Sequence, residues 1–398
     1  MKKLLVISHA MEIGGAERAL LGLLDSFDYQ NYSVDLFLLR QEGELMPQIN
    51  KQVNLLPMNR SRYLAIPMKI LIKDLEFRML YGRLKAKILS KYKINKLNLK
   101  AENQVGLTYS HKYTYKYIQK INPNIEYDLA ISFLTPHYIC RNKVNAKKYL
   151  AWIHTDYSTI DIDVKTELGM WSRYDYIASI SDKCTESFLD RFPTLKKKII
   201  RIDNIVTSKS IYKQADVFDV EQEMPFGEIK LLSVGRFSNA KNFDNVPEIC
   251  RYIIKEGLNV KWYLIGYGGD ETLIRNKIEE YGMQEYVIIL GKKDNPYPYM
   301  KKCDIYIQPS RYEGKAVTVR EAQILNKLVI ITNFPTSKSQ LNDGIDGIIV
   351  PMDNEGCAKK IVNFINNVKL QNKIIKYLRE YDYSNSNEIE KIYKLMED

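Results

Sequence analysis

The sequence predicts an α/β protein of two doubly wound, Rossmann-like domains, and three observations carry that prediction. Short apolar runs alternate with helix-length spacers along most of the chain, the pattern of buried parallel strands joined by helical crossovers. The alternation breaks once, over 207–228, where TSKSIYKQADVFDVEQEMPFGE is polar and without clear periodicity. The 398 residues suffice for two domains, each with its own core, at roughly 100 to 200 residues per domain.

In chain order, the first series of strands is expected at Leu4–Ser8, Ser33–Leu39, Leu129–Ser132, Lys148–Ile153, Tyr176–Ile180 and Ile199–Ile202. The second is expected at Ile229–Val234, Lys261–Ile265, Val287–Leu290, Ile305–Gln308, Val329–Thr332 and Gly347–Val350. These runs place a first domain at 1–206, a linker at 207–228, a second domain at 229–378 and a C-terminal helix at 379–398 that packs back on the first domain. Doubly wound sheets bind ligands beyond the carboxyl ends of their strands, so two such halves facing one another imply a site in the cleft between them.

Composition removes several classes. Hydrophobic residues make up 45% and charged residues 27% without a low-complexity tract, which excludes a disordered or fibrous chain. The cysteines at 140, 184, 250, 303 and 357 are odd in number, far apart and embedded in apolar surroundings, so neither a disulfide framework nor a zinc site is expected. His9, His111, His137 and His154 include no pair at metal-ligand spacing, and no metal is expected. MKKLLVISHA has an apolar run too short for a signal-peptide core and reads as a buried first strand. With no apolar stretch of about 18 uncharged residues, no transmembrane helix is expected, and the protein is expected in the cytoplasm.

Net charge is +11, and one segment holds it: from Arg60 to Lys120 there are 15 Lys and Arg against Asp74, Glu76 and Glu102, a local +12. A nucleic-acid surface and a solvated helical face are both readings of such a cluster. No recognised nucleic-acid module accompanies it, so no nucleic-acid partner is expected.

The glycines, cations and glutamates that carry chemistry fall at strand ends. HAMEIGGAERALLGLL places Gly14 and Gly15 between a strand and a helix, where freed amides suit a phosphate or simply form a tight turn. It matches neither G-x-G-x-x-G nor a P-loop. KLLSVGRFSNAKNFD sets Arg236 and Lys241 just beyond a strand; the pair reads as a metal-free diphosphate site or as two solvated cations. YIQPSRYEGKAVTVREAQIL brings Glu313 and Glu321. If both were helical they would stand roughly 12 Å apart. That exceeds the separation of about 5 Å in retaining carboxylate pairs, or about 6.5 to 9.5 Å in inverting ones. A two-point grip on one long ligand fits, as does ordinary enrichment of Glu at helix starts.

GGAER, VGRF with a lysine five residues after its arginine, YLIGYG, DIYIQPS, E-x7-E and DGIDGIIV, in that order, resemble the retaining GT-B glycosyltransferases of glycosyltransferase family four. The resemblance runs from about Lys3 to Pro351, is strongest from Ile229 to Val350, and is closest to enzymes of bacterial capsule, exopolysaccharide and O-antigen assembly. It implies that Arg236 and Lys241 bind the donor diphosphate, approached by Gly14 and Gly15 from the other domain. Glu313 would hold hydroxyls of the transferred sugar, and Glu321 those of the ribose. Gly314, Lys315 and Ala316 would form the donor sugar and phosphate loop. Lys292 and Lys293 would lie near the base, and His154, in AWIHTDY, against the donor sugar. Lys315 stands where the family often has an apolar residue.

The same resemblance implies front-face transfer with retention, the leaving diphosphate accepting the acceptor's proton. No cofactor is implied beyond the nucleoside-diphosphate sugar co-substrate, with UDP preferred. The D-x-D string at Asp161–Asp163 belongs to a different glycosyltransferase fold and reads here as a helix start or a loop feature. The implied partners are the nucleotide sugar and a glycan or polyprenyl-diphosphate-linked acceptor; the local +12 over 60–120 suits an anionic membrane surface or, equally, a basic helical pair packed on the first domain without lipid contact. There Leu71, Leu75, Met79, Leu84 and Ile88 read as the apolar face of one helix spanning Leu64–Leu89. The alternative activity is a nucleotide-sugar 2-epimerase of the same architecture, which would form product without an acceptor.

Overall fold

The computed structural model describes residues 1–397 except 65, 100–102, 314 and 315. It divides into two compact units, Met1–Ile205 with Asn385–Asp398, and Val206–Ser384.

The first unit is built on a seven-stranded sheet: β1 (Lys2–Ser8), β2 (Tyr32–Leu38), β3 (Asn54–Leu55), β4 (Tyr127–Ser132), β5 (Ala146–Ile153), β6 (Tyr176–Ser179) and β7 (Ile199–Arg201). Every pairing is parallel, in the order β3-β2-β1-β4-β5-β6-β7. Leu4 to Ser8 of KKLLVIS are all buried. A parallel strand is covered on both faces by crossover helices, so it reads as an unbroken apolar run rather than an alternating one. β3 escapes that reading, being two exposed residues, Asn54 and Leu55.

The second unit holds β8 (Ile229–Val234), β9 (Val260–Ile265), β10 (Val287–Gly291), β11 (Ile305–Gln308), β12 (Leu328–Thr332) and β13 (Ile348–Val350), all parallel, in the order β10-β9-β8-β11-β12-β13. The order reverses direction between β8 and β11, as it does between β1 and β4 in the first unit. Such switch points open a crevice at the strands' carboxyl ends, where the loops leaving the two neighbouring strands diverge.

Three expectations change. Residues 207–228 are not a free linker: Ser208–Ala215 is a helix, and Ile211, Ala215, Val220 and Met224 are buried in the second unit's core. Ile211 and Ala215 stand i, i+4 on the helix, which hides one apolar face inside a polar stretch. The C-terminal element does not begin at 379. Helix Val368–Glu380 belongs to the second unit, and it is Asn385 onward that joins the first. Tyr393 stacks on Tyr32 at 4.0 Å between ring centroids and accepts a hydrogen bond from the Asp28 amide at 2.8 Å. Finally, Leu64–Leu89 is not one helix. Met68–Lys73 and Phe77–Leu97 are separated at Leu75, which takes φ 55°.

The five cysteines are free and buried. Among the described residues no helix is long and apolar enough to cross a membrane.

Candidate functional site

β8 and β11 are neighbours at the second unit's switch point, with Ile305 opposite Leu231 and Tyr306 opposite Leu232. The loops leaving their carboxyl ends therefore meet. From β8 the chain passes Gly235 and the exposed Arg236 to a short turn, Asn239–Lys241, closed by Asn242 at φ 61°. From β11 it passes Pro309 and Ser310 to Glu313.

Lys241 Nζ donates to Glu313 Oε1. The same oxygen accepts from Ser310 Oγ at 2.6 Å and Gln308 Nε2 at 3.1 Å. Gln308 and Ser310 are fully buried, and Gln308 Oε1 accepts from Tyr306 Oη at 2.6 Å and Thr318 Oγ1 at 3.3 Å. Glu313 thus ends a polar chain rooted in the sheet. The two loops are also tied by backbone: the Arg311 amide donates to Ala240 O at 2.8 Å, and Asn242 Nδ2 to Pro309 O at 2.9 Å. Arg311 further grips Asp244 bidentately at 2.9 and 2.7 Å, a fork geometry that fixes orientation as well as distance. Arg236, by contrast, has no ion pair among the described residues.

The glycines of YLIGYG belong to this arrangement by close approach. A Cβ on Gly266 would stand 1.9 Å from Gly235 O, and one on Gly268 2.2 Å from Phe237 O. The β9 loop packs backbone to backbone under the β8 loop, which no side chain permits.

Glu321 lies in helix Val317–Ile324, only 2% exposed, and its Oε1 accepts from Tyr297 Oη at 2.8 Å. Glu313 lies outside that helix, so the separation of roughly 12 Å expected of a continuous helix does not describe the pair. Ala316 caps the helix, its amide donating to Gln340 Oε1 at 2.9 Å. Gly314 and Lys315 fall outside the described residues. Lys292 sits over the exposed Tyr267 ring at 5.0 Å. Lys293 is turned to Glu223, at 2.6 Å, and lies 5.2 Å from the Tyr299 ring centre. The two lysines therefore have separate surroundings, and Lys293 is already neutralised.

In the first unit Gly14 caps helix Gly15–Ser26, with the Glu17 carboxylate folded over it: a Cβ on Gly14 would meet Glu17 Oε2 at 2.1 Å. His154 follows β5, packed against Phe133 at 4.4 Å and Trp152 at 5.9 Å, its Nε2 buried and without a hydrogen-bond partner among the described residues. Burial holds its pKa down at about 3, so the ring is neutral near pH 7.

His154 has company that the sequence does not suggest. His9 follows β1 and lies 5.5 Å from His111, on helix Val105–Thr114; His137 follows β4 and bonds Ser132 Oγ at 2.7 Å. Burial, then the Arg40 charge, lowers His9 to about 4; burial, then His9, lowers His111 to about 3. His137 is held well below its ordinary value by burial, then by the other three. All four histidines of the chain thus lie beside the carboxyl ends of β1, β4 and β5. The legible signal is that three of them follow strands.

Among the described residues no group of three or more His, Cys, Asp or Glu could hold a metal ion. Asp163 caps helix Val164–Trp171, accepting from Thr166 Oγ1 at 2.9 Å and Tyr109 Oη at 2.7 Å.

Residues 214–381 match the family described as Glycosyl transferases group 1. The chain is similar to the N-acetylgalactosamine-N,N'-diacetylbacillosaminyl-diphospho-undecaprenol 4-alpha-N-acetylgalactosaminyltransferase of Campylobacter jejuni, 26% identical over 47% of this chain and 49% of that protein. It is similar to the capsular polysaccharide biosynthesis glycosyltransferase CapH of Staphylococcus aureus, 25% identical over 43% of this chain and 51% of that one. The chain spans about half the length of these two curated relatives. In structure it resembles a variant of TarM from S. aureus, solved with fondaparinux, α-GlcNAc-glycerol and UDP, at a TM-score of 0.67 and 15% identity over 100% of both chains. That likeness, with the two parallel sheets, makes the fold GT-B.

Proposed function

Because the second unit carries a glycosyl transferases group 1 domain, we propose that the chain is a retaining glycosyltransferase. It moves a sugar from a nucleoside-diphosphate sugar, UDP-linked by preference, to a glycan acceptor carried on a polyprenyl diphosphate, in surface polysaccharide biosynthesis on the cytoplasmic side of the membrane. The observation that carries this reading is the meeting of Lys241 and Glu313 at the carboxyl ends of β8 and β11, held by Ser310 and Gln308.

An anionic diphosphate entering at the switch point competes with Glu313 for Lys241, and the unpaired Arg236 supplies a second cation. Two charge-assisted contacts neutralise the leaving group without a metal, and the start of helix Val317–Ile324 adds backbone amides. Released from Lys241, Glu313 turns its carboxylate to sugar hydroxyls while Ser310 and Gln308 keep it placed. Glu321 takes the ribose hydroxyls, and Lys292 over Tyr267 offers a flat cationic surface to the base. Lys293, held by Glu223, keeps the base-proximal role that the resemblance gives it. Ala316, at the start of helix Val317–Ile324, keeps the donor-loop role that the resemblance gives it.

Gly14, Gly15 and His154 keep the roles that the resemblance gives them, the glycines toward the diphosphate and His154 toward the sugar. His154, neutral near pH 7, donates or accepts a hydrogen bond there and carries no charge. Such a site accelerates transfer by fixed charges placed where the leaving diphosphate develops its own. That diphosphate accepts the acceptor's proton. The relatives' names support the class: one acts on a diphospho-undecaprenol-linked glycan, one in capsule biosynthesis, and TarM was solved with UDP.

The test is a panel of UDP- and GDP-sugars with and without lipid-linked acceptors, read by product mass and by NMR of the new anomeric centre. Product dependent on the acceptor, with the donor's anomeric configuration, is expected. Product without acceptor would replace the reading by an epimerase.

A further inference from the structure

Helix Phe77–Leu97 inverts the usual order of an amphipathic helix. Its buried face is Met79, Gly82, Ala86 and Ser90, three of them small. They let it lie tightly against helix Val105–Thr114, where a Cβ on Gly82 would come within 2.9 Å of Thr114 Cγ2 and Tyr113 O. The bulky apolar residues face the other way: Phe77, Tyr81, Leu84, Ile88 and Tyr92 are between 44% and 68% exposed. At ~100° per residue they fall within an arc of roughly 80°, opposite the buried face, along a helix of about 30 Å. The exposed Ile72 and Leu75 stand just before it in the chain.

The flanks are basic on both sides. Arg78, Lys85 and Lys96 lie along one edge of the stripe and Lys87 and Lys91 along the other, all exposed, and FRMLYGRLKAKILSKYKINKL contains no Asp or Glu. Large exposed apolar stripes on soluble surfaces mark an interaction site. A second copy of the same face would set like charges together, and a nucleic acid would pair the lysines but leave the stripe in water. An anionic bilayer surface satisfies both features: acyl chains take the stripe, and lipid phosphates take the lysines along its edges. We infer that helix Phe77–Leu97 lies in the plane of an anionic membrane with Phe77, Tyr81, Leu84, Ile88 and Tyr92 inserted below the headgroups.

This face differs from the Leu71–Leu75–Met79–Leu84–Ile88 face expected from sequence, since Leu71 and Met79 are buried. It also changes which lysines should be altered: Lys93 pairs with Asp163 at 3.6 Å and helps hold the fold, so it is left alone.

The experiment is co-sedimentation of the full chain with phosphatidylglycerol–phosphatidylcholine vesicles and with pure phosphatidylcholine vesicles, with no nucleotide sugar or acceptor present. Wild type should partition at least tenfold better onto the anionic vesicles. The triple variant Tyr81→Ser, Leu84→Ser, Ile88→Ser and the triple variant Lys85→Glu, Lys87→Glu, Lys91→Glu should each lose at least tenfold. Tyr92→Trp should show a blue-shifted emission only with anionic vesicles. Wild type remaining in the supernatant, a serine variant that binds as wild type does, or a wild-type dimer that the serine variant abolishes would each overturn the inference. UDP binding by the serine variant should match wild type. Failure of wild type to bind any nucleoside diphosphate would sink the proposed function and leave this surface standing.

Discussion

Lys241 Nζ donates to Glu313 Oε1 across two loops that leave neighbouring strands, so the group assigned to the diphosphate is held by the group assigned to the sugar. The two assignments are therefore coupled. Lys241→Met frees Glu313 as an anion without its partner, and Glu313→Gln frees Lys241.

Turnover should separate the two. Glu313→Gln keeps the shape and the Ser310 contact but loses the charge, and it should lower kcat by about tenfold or more, near 1.4 kcal/mol, with a smaller change in donor KM. Steady-state kinetics with the best donor checks this; unchanged kcat would remove Glu313 from the chemistry.

Glu321 predicts a different signature. It is buried beside Tyr297, so Glu321→Gln should raise donor KM by about tenfold with little effect on kcat. Tyr297→Phe should raise it by a smaller factor, through loss of the 2.8 Å bond that orients the carboxylate. If both variants bind UDP as wild type does, Glu321 is a structural residue of the helix.

The close approach of the β9 and β8 loops makes Gly266 irreplaceable. With a Cβ 1.9 Å from Gly235 O, Gly266→Ala must push the Arg236 loop outward. Overpacking of this kind costs up to ~3 kcal/mol, which in a unit of this size lowers Tm by roughly 6–12 °C. Differential scanning calorimetry and UDP titration should both register it, whereas Gly269→Ala, with open space around it, should leave both unchanged.

The histidine cluster predicts acid sensitivity of the first unit. Folded-state values near 4 for His9 and near 3 for His111 and His154 lie below the ordinary 6.5, so the unfolded chain takes up protons first as pH falls. Stability is intact above pH 6.5 and declines from there toward pH 3 to 4, by up to about 1.4 kcal/mol per pH unit for each histidine. Glu167, raised by burial, opposes this below its own folded value. Urea unfolding between pH 7 and 4 should show the slope, and His111→Gln should reduce it by about one proton; a flat profile contradicts the cluster.

Twelve of the strands are legible in the sequence because a parallel strand buried on both faces leaves an unbroken apolar run, as in Leu231–Val234 and Ile305–Gln308. β3 is not, because two exposed residues carry no such run. Lys241 and Glu313 are each marked by their strand ends, yet their contact joins residues 72 apart and depends on β8 lying beside β11. The histidines come from four separate segments, and only sheet order assembles them. Periodicity runs through Leu75 and so suggests one helix over Leu64–Leu89, whereas the positive φ of Leu75 ends one helix and re-aims the next. The reversed faces of Phe77–Leu97 cannot be read from sequence, since a pattern of large and small residues does not say which side meets a neighbour.

The most direct test of the donor site is calorimetric titration of UDP, in excess chelator, into wild type and Lys241→Met. Wild type should bind without metal, and the variant at least about tenfold more weakly, as loss of one charge-assisted contact requires. Binding by wild type only when magnesium or manganese is restored, or equal binding by the two proteins, would contradict the donor-site assignment.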